Sequence, residues 1–234
     1  MANPSAFSER ESFVLCDSRQ RGFPISYASA GFQKLFGYDE KECLGTQCGA
    51  LVGYPSILTQ GLPCLSKEAA AAGLTVAEAV ESLEFITSQA GKLALKVSAC
   101  EADEFVGPML LVNRRKSGEL FVCEMGLQRK QHPELGWDYS VGFQRDVSNE
   151  VPVSSLLQAA AKRSQEDCAR LVDKVPDMEG PIRTANADAH LHEAAARMWR
   201  DSAAREMDNI NKPSKKSKSR RGAKSLASLS TFAS

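Results

Sequence analysis

The residues best equipped for chemistry in this chain are its thiols. Seven cysteines occur: Cys16, Cys43, Cys48, Cys64, Cys100, Cys123 and Cys168. A thiol, once activated, can add to an electrophilic carbon. The number is odd, no Cys-x-x-Cys pair occurs and no compact secreted framework is present. They read as reduced thiols in a cytoplasmic or nuclear protein. Cysteine is also among the most buried residue types, so Cys48 taken alone is a small apolar core residue. His190-x-His192 with Glu193 has metal-binding composition, but two imidazoles at that spacing point apart on a helix and no third ligand lies near in sequence. Ser, His and Asp are present without a Gly-x-Ser-x-Gly elbow, and no Gly-rich loop runs into Lys-Ser/Thr to cradle a phosphate. A thiol enzyme centred on Cys48 lacks a general base in motif form. No enzymatic activity is expected.

The 234 residues give room for one ordinary domain plus extensions. With 43% hydrophobic and 25% charged residues the composition is that of a soluble globular protein. No apolar run approaches the roughly 18 residues of a membrane-spanning helix, and the first ten residues lack the basic-then-apolar order of a secretory signal. Lys+Arg and Asp+Glu number 29 each, but the balance hides an asymmetry. Seven basic residues fall between Lys212 and Lys224, and no acid follows Asp208. Residues 1–211 therefore hold 22 basic and 29 acidic groups, a net of −7. An acidic body with a basic tail follows, and any contact with nucleic acid would be a loose one through residues 212–224. That tail reads either as a nuclear import signal or as a solvated, disordered end.

These side chains need a scaffold to position them. Phe13–Cys16 and Ile25–Ala28 are predicted strands joined by a short loop. Ser29 caps a helix bearing Phe32, Leu35 and Phe36, which Gly37 ends. Asp39–Leu44 is a further acid-capped turn stopping at Gly45. Pro55, Gly61 and Pro63 break the next stretch, with a short helix over 66–73. Val76, Ala79, Val80, Leu83 and Ile86 predict a helix over 75–89 ended by Gly91, and 92–105 is ambiguous between helix and strand. Met109–Asn113, a charged turn with Gly118, and Leu120–Cys123 form a predicted hairpin. A third strand spans 137–147. The expected fold is α+β, a five-stranded antiparallel sheet with helices on one face. An apolar stripe over 153–175 and a weaker helix over 187–210 make a helical extension (152–210), followed by the basic tail (211–234).

Four ordered motifs between residues 10 and 148 resemble a PAS domain of the light-oxygen-voltage (LOV) subclass. They are Tyr27-Ala28-Ser29-Ala30-Gly31-Phe32-Gln33-Lys34-Leu35-Phe36-Gly37-Tyr38, then Leu44-Gly45-Thr46-Gln47-Cys48-Gly49-Ala50-Leu51, then Asn113-Arg114-Arg115-Lys116-Ser117-Gly118, and finally Tyr139–Val147 with its Gln144. Residues 74–105 are an insertion relative to that pattern. The resemblance implies that flavin mononucleotide (FMN) binds between sheet and helices and that blue light joins one Cys thiol to the flavin ring. It further implies that a Gln on the last strand then exchanges hydrogen-bond partners and releases a flanking helix. Carried over by position, the thiol is Cys48, the ring-edge amide Asn113 and the switching amide Gln144. Such amides suit a flavin edge because they both donate and accept; the protein supplies position and the flavin reactivity.

The departures concern mainly the phosphate end. Gln47 stands in place of Asn, Gly49 in place of an Arg that pairs with phosphate, Val52 in place of Gln, and Cys123 in place of a second ring-contacting Asn. Lys67 occupies the position of a second phosphate-binding Arg and offers a point charge without a bidentate fork. Losing one such contact costs about 1.5–3 kcal/mol, so a weakened FMN site is expected unless the insertion compensates through Lys92 or Lys96. The insertion also reads simply as a lid. Gln47, Lys67, Asn113, Cys123 and Gln144 are thus the expected flavin contacts, and the 153–175 helix the expected signal element, docking on the sheet, on a second copy or on a protein partner. The alternative is a flavin-free PAS module for dimerisation or partner binding.

Overall fold

The computed structural model describes residues 12–18, 20, 22–132, 136, 138–176, 193–201, 203, 204 and 207. His190, His192 and the basic tail lie outside the described residues. The chain divides into two compact units, Met1–Trp199 and Arg200–Ser234. In the second, positions 200, 201, 203, 204 and 207 are helical.

Strands β1 (Ser12–Asp17) and β2 (Ile25–Ala28) pair antiparallel. Helix α1 (Ala30–Phe36) starts where the Ser29 hydroxyl accepts the Phe32 N–H at 3.1 Å. The same oxygen accepts the Phe13 N–H at 3.0 Å, so one cap also ties α1 to β1. Gly37, at φ 79°, ends the helix in the left-handed conformation open to glycine. Helix α2 (Glu40–Cys43) begins in a capping box between Asp39 and Glu42.

The stretch expected to be broken by prolines is helical instead: α3 (Cys48–Val52), α4 (Tyr54–Gln60) and α5 (Leu62–Ala71). Pro55 and Pro63 fall in the first turns of α4 and α5, where the missing N–H has no intrahelical partner to lose, so they start helices. Helix α6 (Val76–Ala99) opens in a Thr75–Glu78 capping box. It runs eight residues past Gly91, correcting the expected stop there. One interior glycine costs about 1 kcal/mol, which the buried Val97 and half-buried Leu93 beyond it offset. The ambiguous stretch thus resolves as helix to Ala99, then strand from Phe105.

Strands β3 (Phe105–Arg114), β4 (Leu120–Gln131) and β5 (Asp138–Asp146) complete an antiparallel sheet in the order β2-β1-β5-β4-β3. This is the expected α+β, PAS-like sheet. The register assigns its faces, since directly paired residues point the same way. Val14, Leu111, Asn113, Phe121, Cys123 and Gln144 share the first face. There Val14, Phe121 and Cys123 pack with Phe32 and Phe36 of α1, Cys43 of α2 and Val52 of α3.

The second face is covered too. Leu110, Val112, Leu120 and Val122 pack with α4, α5, α6, α7 (Val153–Ala161) and α8 (Gln165–Val172). Phe13, Leu15, Tyr139, Val141 and Phe143 pack under Ala194, Ala195 and Met198 of the helical residues 193–199. The 153–175 stripe is therefore two helices, parted at Arg163 (φ 53°) and restarted by a Ser164 cap. Its apolar side lies on the sheet.

Candidate functional site

Cys48 opens α3, placed by the backbone bridge between Pro24 and Gln47 that ties this loop to β2. It is half-buried against the core of the first face. Burial, with a smaller contribution from Cys43, pushes its thiol up to about 12. At neutral pH the group is a neutral thiol. Cys123, fully buried on β4, is raised well above the ordinary value by burial and then by Cys48 nearby, against an opposing hydrogen bond from Asn113. Cys48, Cys123 and Asn113 thus form one neighbourhood.

Gln144 joins them through the sheet. Asn113 pairs with Phe121, Cys123 with Asp146, and Met125 with Gln144. Asn113, Cys123 and Gln144 therefore step diagonally across β3, β4 and β5 on one face, each step about 7–8 Å. Gln144 is buried, yet among the described residues its Oε1 has no hydrogen-bond partner, a state rare for buried polar atoms. A Cβ added at Gly142 would lie 3.1 Å from Gln144 Nε2, so the glycine leaves room for the amide. With Lys34, Leu35, Arg115 and Asp146, Gln144 lines an open recess of about 510 Å³. Cys48 and Asn113 do not line that recess.

The first face between helices and sheet is well filled. Phe32 and Phe36 rings stand 4.4 Å apart, and Phe36 and Phe121 rings 5.4 Å. The Arg115 guanidinium lies 4.3 Å from the Phe121 ring centre, pairs with Asp146 and donates to the Leu35 carbonyl. On the other side of β3, buried Arg114 donates to Tyr38 Oη at 2.6 Å, Ser56 Oγ at 3.3 Å and its neighbour's carbonyl at 3.0 Å, with no carboxylate within ion-pair distance among the described residues. Sequence reading treated both arginines as turn residues; their position after Asn113 was the only signal of a larger role.

The remaining expected contacts sit elsewhere. Gln47 is exposed, its amide folded over Gly22, where a Cβ would come within 2.1 Å of Nε2. Lys67 is exposed on α5, whose buried Leu65 and Ala69 face the core of the second sheet face. Lys92 and Lys96 line a cleft between α6 and α8, so the insertion does not bring them to the first face. The amides and thiols bring to one side of the sheet the kinds of group that the edge of a flavin would meet, Gln144 Oε1 being an acceptor without a donor among the described residues; aromatic rings occupy part of that face, and the phosphate end lacks a comparable grip.

No family model matches the chain. Fifty residues are 42% identical to the blue light receptor lreA of Aspergillus flavus, a match spanning 21% of this chain and 6% of that protein. A fungal LOV domain photoreceptor structure is 20% identical, covering 63% of this chain and 80% of its own, with a TM-score of 0.38. A PAS domain from Colwellia psychrerythraea is 14% identical over 62% of this chain and 92% of its own, with a TM-score of 0.40. The two structures are of a LOV and a PAS domain, the family that the four sequence motifs resemble, and the relative is a blue light receptor. Among the described residues no helix is long and apolar enough to cross a membrane, and no cluster of His, Cys, Asp and Glu is arranged to hold a metal ion.

Proposed function

We propose that this chain is a LOV-type blue-light sensor that binds FMN against the first sheet face and signals through its C-terminal helices. The observation that carries the reading is Gln144, a buried amide with an unpartnered oxygen, at the end of a diagonal that runs through Cys123 to Asn113 beside Cys48. When bound, the flavin would supply a light-absorbing ring that becomes electrophilic enough for the Cys48 sulfur to add to it reversibly. Cys48 is kept protonated by its apolar surroundings, so the thiol would bring both its sulfur and its proton to the ring, and no separate base would be needed. Asn113 orients the ring edge by offering both a donor and an acceptor. Gln144 reports the change by rotating its amide, which exchanges donor for acceptor without moving the strand far.

From β5 the signal has a short route. Arg145, next along the strand, points to the second face, pairs with the buried Glu124 and donates to the Pro176 carbonyl just beyond α8. A small displacement of β5 therefore loads the end of α8.

The experiment is direct. Full-length protein reconstituted with FMN is expected to turn yellow, bleach under blue light and recover in the dark. Cys48→Ala is expected to stay yellow and not bleach; bleaching that survives this change overturns the assignment of Cys48. A second reading, a flavin-free PAS module, is favoured by the aromatic cluster of Phe32, Phe36 and Phe121 that fills this face. Protein that remains colourless after reconstitution selects it.

A further inference from the structure

On the far side of the sheet, α6 and α8 part to leave a cleft of about 390 Å³. Its walls are single helical faces. Phe85, Ile86, Gln89, Lys92, Leu93 and Lys96 recur at the three- and four-residue spacing of one side of α6, and Gln165, Cys168, Ala169 and Val172 do so on α8. Pro108, Met109 and Leu110 of the edge strand β3, with Leu156 of α7, form its floor. Most of this lining is apolar, and Phe85, Leu93, Met109, Cys168 and Val172 are only half-buried. Gln89 and Gln165 hydrogen-bond across the cleft and tie its walls together.

The charge at the mouth is one-sided. Lys92 and Lys96 stand one turn apart on α6, both exposed. Among the described residues Lys92 Nζ has only the Gln89 oxygen, at 3.4 Å, and neither lysine has a carboxylate within ion-pair distance. On α8 and in the turn before it basic groups are matched: Arg170 with Glu166 and Asp167, Lys162 with Asp167, and Arg163 with Glu81. An apolar slot under two unmatched ammonium groups complements a molecule with an apolar tail and one negative head. The volume sets the size, because a partner helix about 10 Å across would fill such a cleft in roughly one turn.

We propose that the α6–α8 cleft binds a small amphipathic monocarboxylate of the medium-chain fatty-acid class, its tail between Leu93, Met109 and Val172 and its head at Lys92 and Lys96. The site lies on the face opposite Cys48 and shares no residue with the flavin contacts proposed above.

The test is titration of full-length protein with decanoate and, separately, decanol, followed by calorimetry. Saturable one-to-one decanoate binding is expected, with decanol at least tenfold weaker. The exposed double variant Lys92→Glu/Lys96→Glu is expected to lose decanoate affinity at least tenfold and keep decanol affinity, while its melting temperature stays unchanged. Ala169→Trp, which fills the slot from an exposed position on α8, is expected to abolish both. Decanoate that does not bind, or that binds no better than decanol and equally well to the double variant, overturns the proposal. So does chain self-association that occludes the cleft, read by light scattering, because the occupant would then be a second copy. Since none of these readouts uses light or colour, their failure is distinguishable from failure of the photosensor reading.

Discussion

Gln144 is a side chain whose surroundings are incomplete, and that has a measurable sign. A buried acceptor without a donor costs about 1–3 kcal/mol. Gln144→Leu is therefore expected to raise the stability of flavin-free protein by about 1 kcal/mol in chemical denaturation. In reconstituted protein the same change is expected to leave bleaching intact while removing any light-dependent change in the C-terminal helices, read by limited proteolysis. Lower stability of the flavin-free variant would mean that the amide is already satisfied. The thiols carry a second sign. Burial raises Cys48 to about 12 and Cys43 to about 11 from an ordinary 9. The folded chain then holds protons that the unfolded chain has released, so this stability is complete below about pH 9 and is lost as pH rises towards the folded values. Melting temperature is expected to fall from pH 8.5 to 11, and Cys48→Ala to make that fall shallower, by up to about 1.4 kcal/mol per pH unit for one thiol. Equal slopes in both proteins would place Cys48 in water.

At the scale of elements, α6 gives the clearest case of a conformational price that packing covers. Gly91 sits inside the helix, and a Cβ built there meets nothing within 4 Å. Gly91→Ala is expected to stabilise the protein by about 0.5–1 kcal/mol in denaturant titration, through the lower entropy of the unfolded chain. A loss of stability would show that α6 bends there. The same glycine marks where sequence reading stops. Strands β1 and β2, the Ser29 and Asp39 caps and the Arg114–Glu119 hairpin were legible because each rests on local signals: alternation, a hydroxyl or carboxylate before a helix, a glycine in a turn. The end of α6 was not, because Leu93 and Val97 reward the helix only through contacts with residues far along the chain. Pro55 and Pro63 misled for a related reason, since a proline reads as a breaker or a starter according to which residue opens the helix. Of the expected contacts, Asn113, Cys123 and Gln144 share one face by strand register, whereas Cys48, on α3, comes beside them through the packing of that helix. Gln47 and Lys67 could not be placed, because neither solvent exposure nor the direction of a long side chain is encoded in spacing.

Across the whole molecule the sheet works as a partition with different tasks on its two faces, and Glu124–Arg145 is where they meet. Glu124 is 1% exposed and its ion pair with Arg145 stands on the second face, one residue from Gln144 on the first. Removing one partner strands a buried charge at a cost of about 3–5 kcal/mol, whereas replacing both by apolar side chains of similar size is often neutral. Arg145→Met alone is therefore expected to destabilise the chain by about 2–4 kcal/mol, somewhat less than for a fully buried pair, because Arg145 keeps 28% of its side chain exposed. The double variant Glu124→Leu/Arg145→Met is expected to recover most of that loss. It also removes the guanidinium that holds the Pro176 carbonyl, so β5 and the end of α8 are no longer joined there. If the sheet passes its signal by this link, the double variant loaded with FMN bleaches and recovers like the parent while protease cleavage between α7 and α8, at residues 162–164, ceases to depend on light. Cleavage that still follows illumination would show that the message reaches the helices by another path, through their packing on Val112 and Val122.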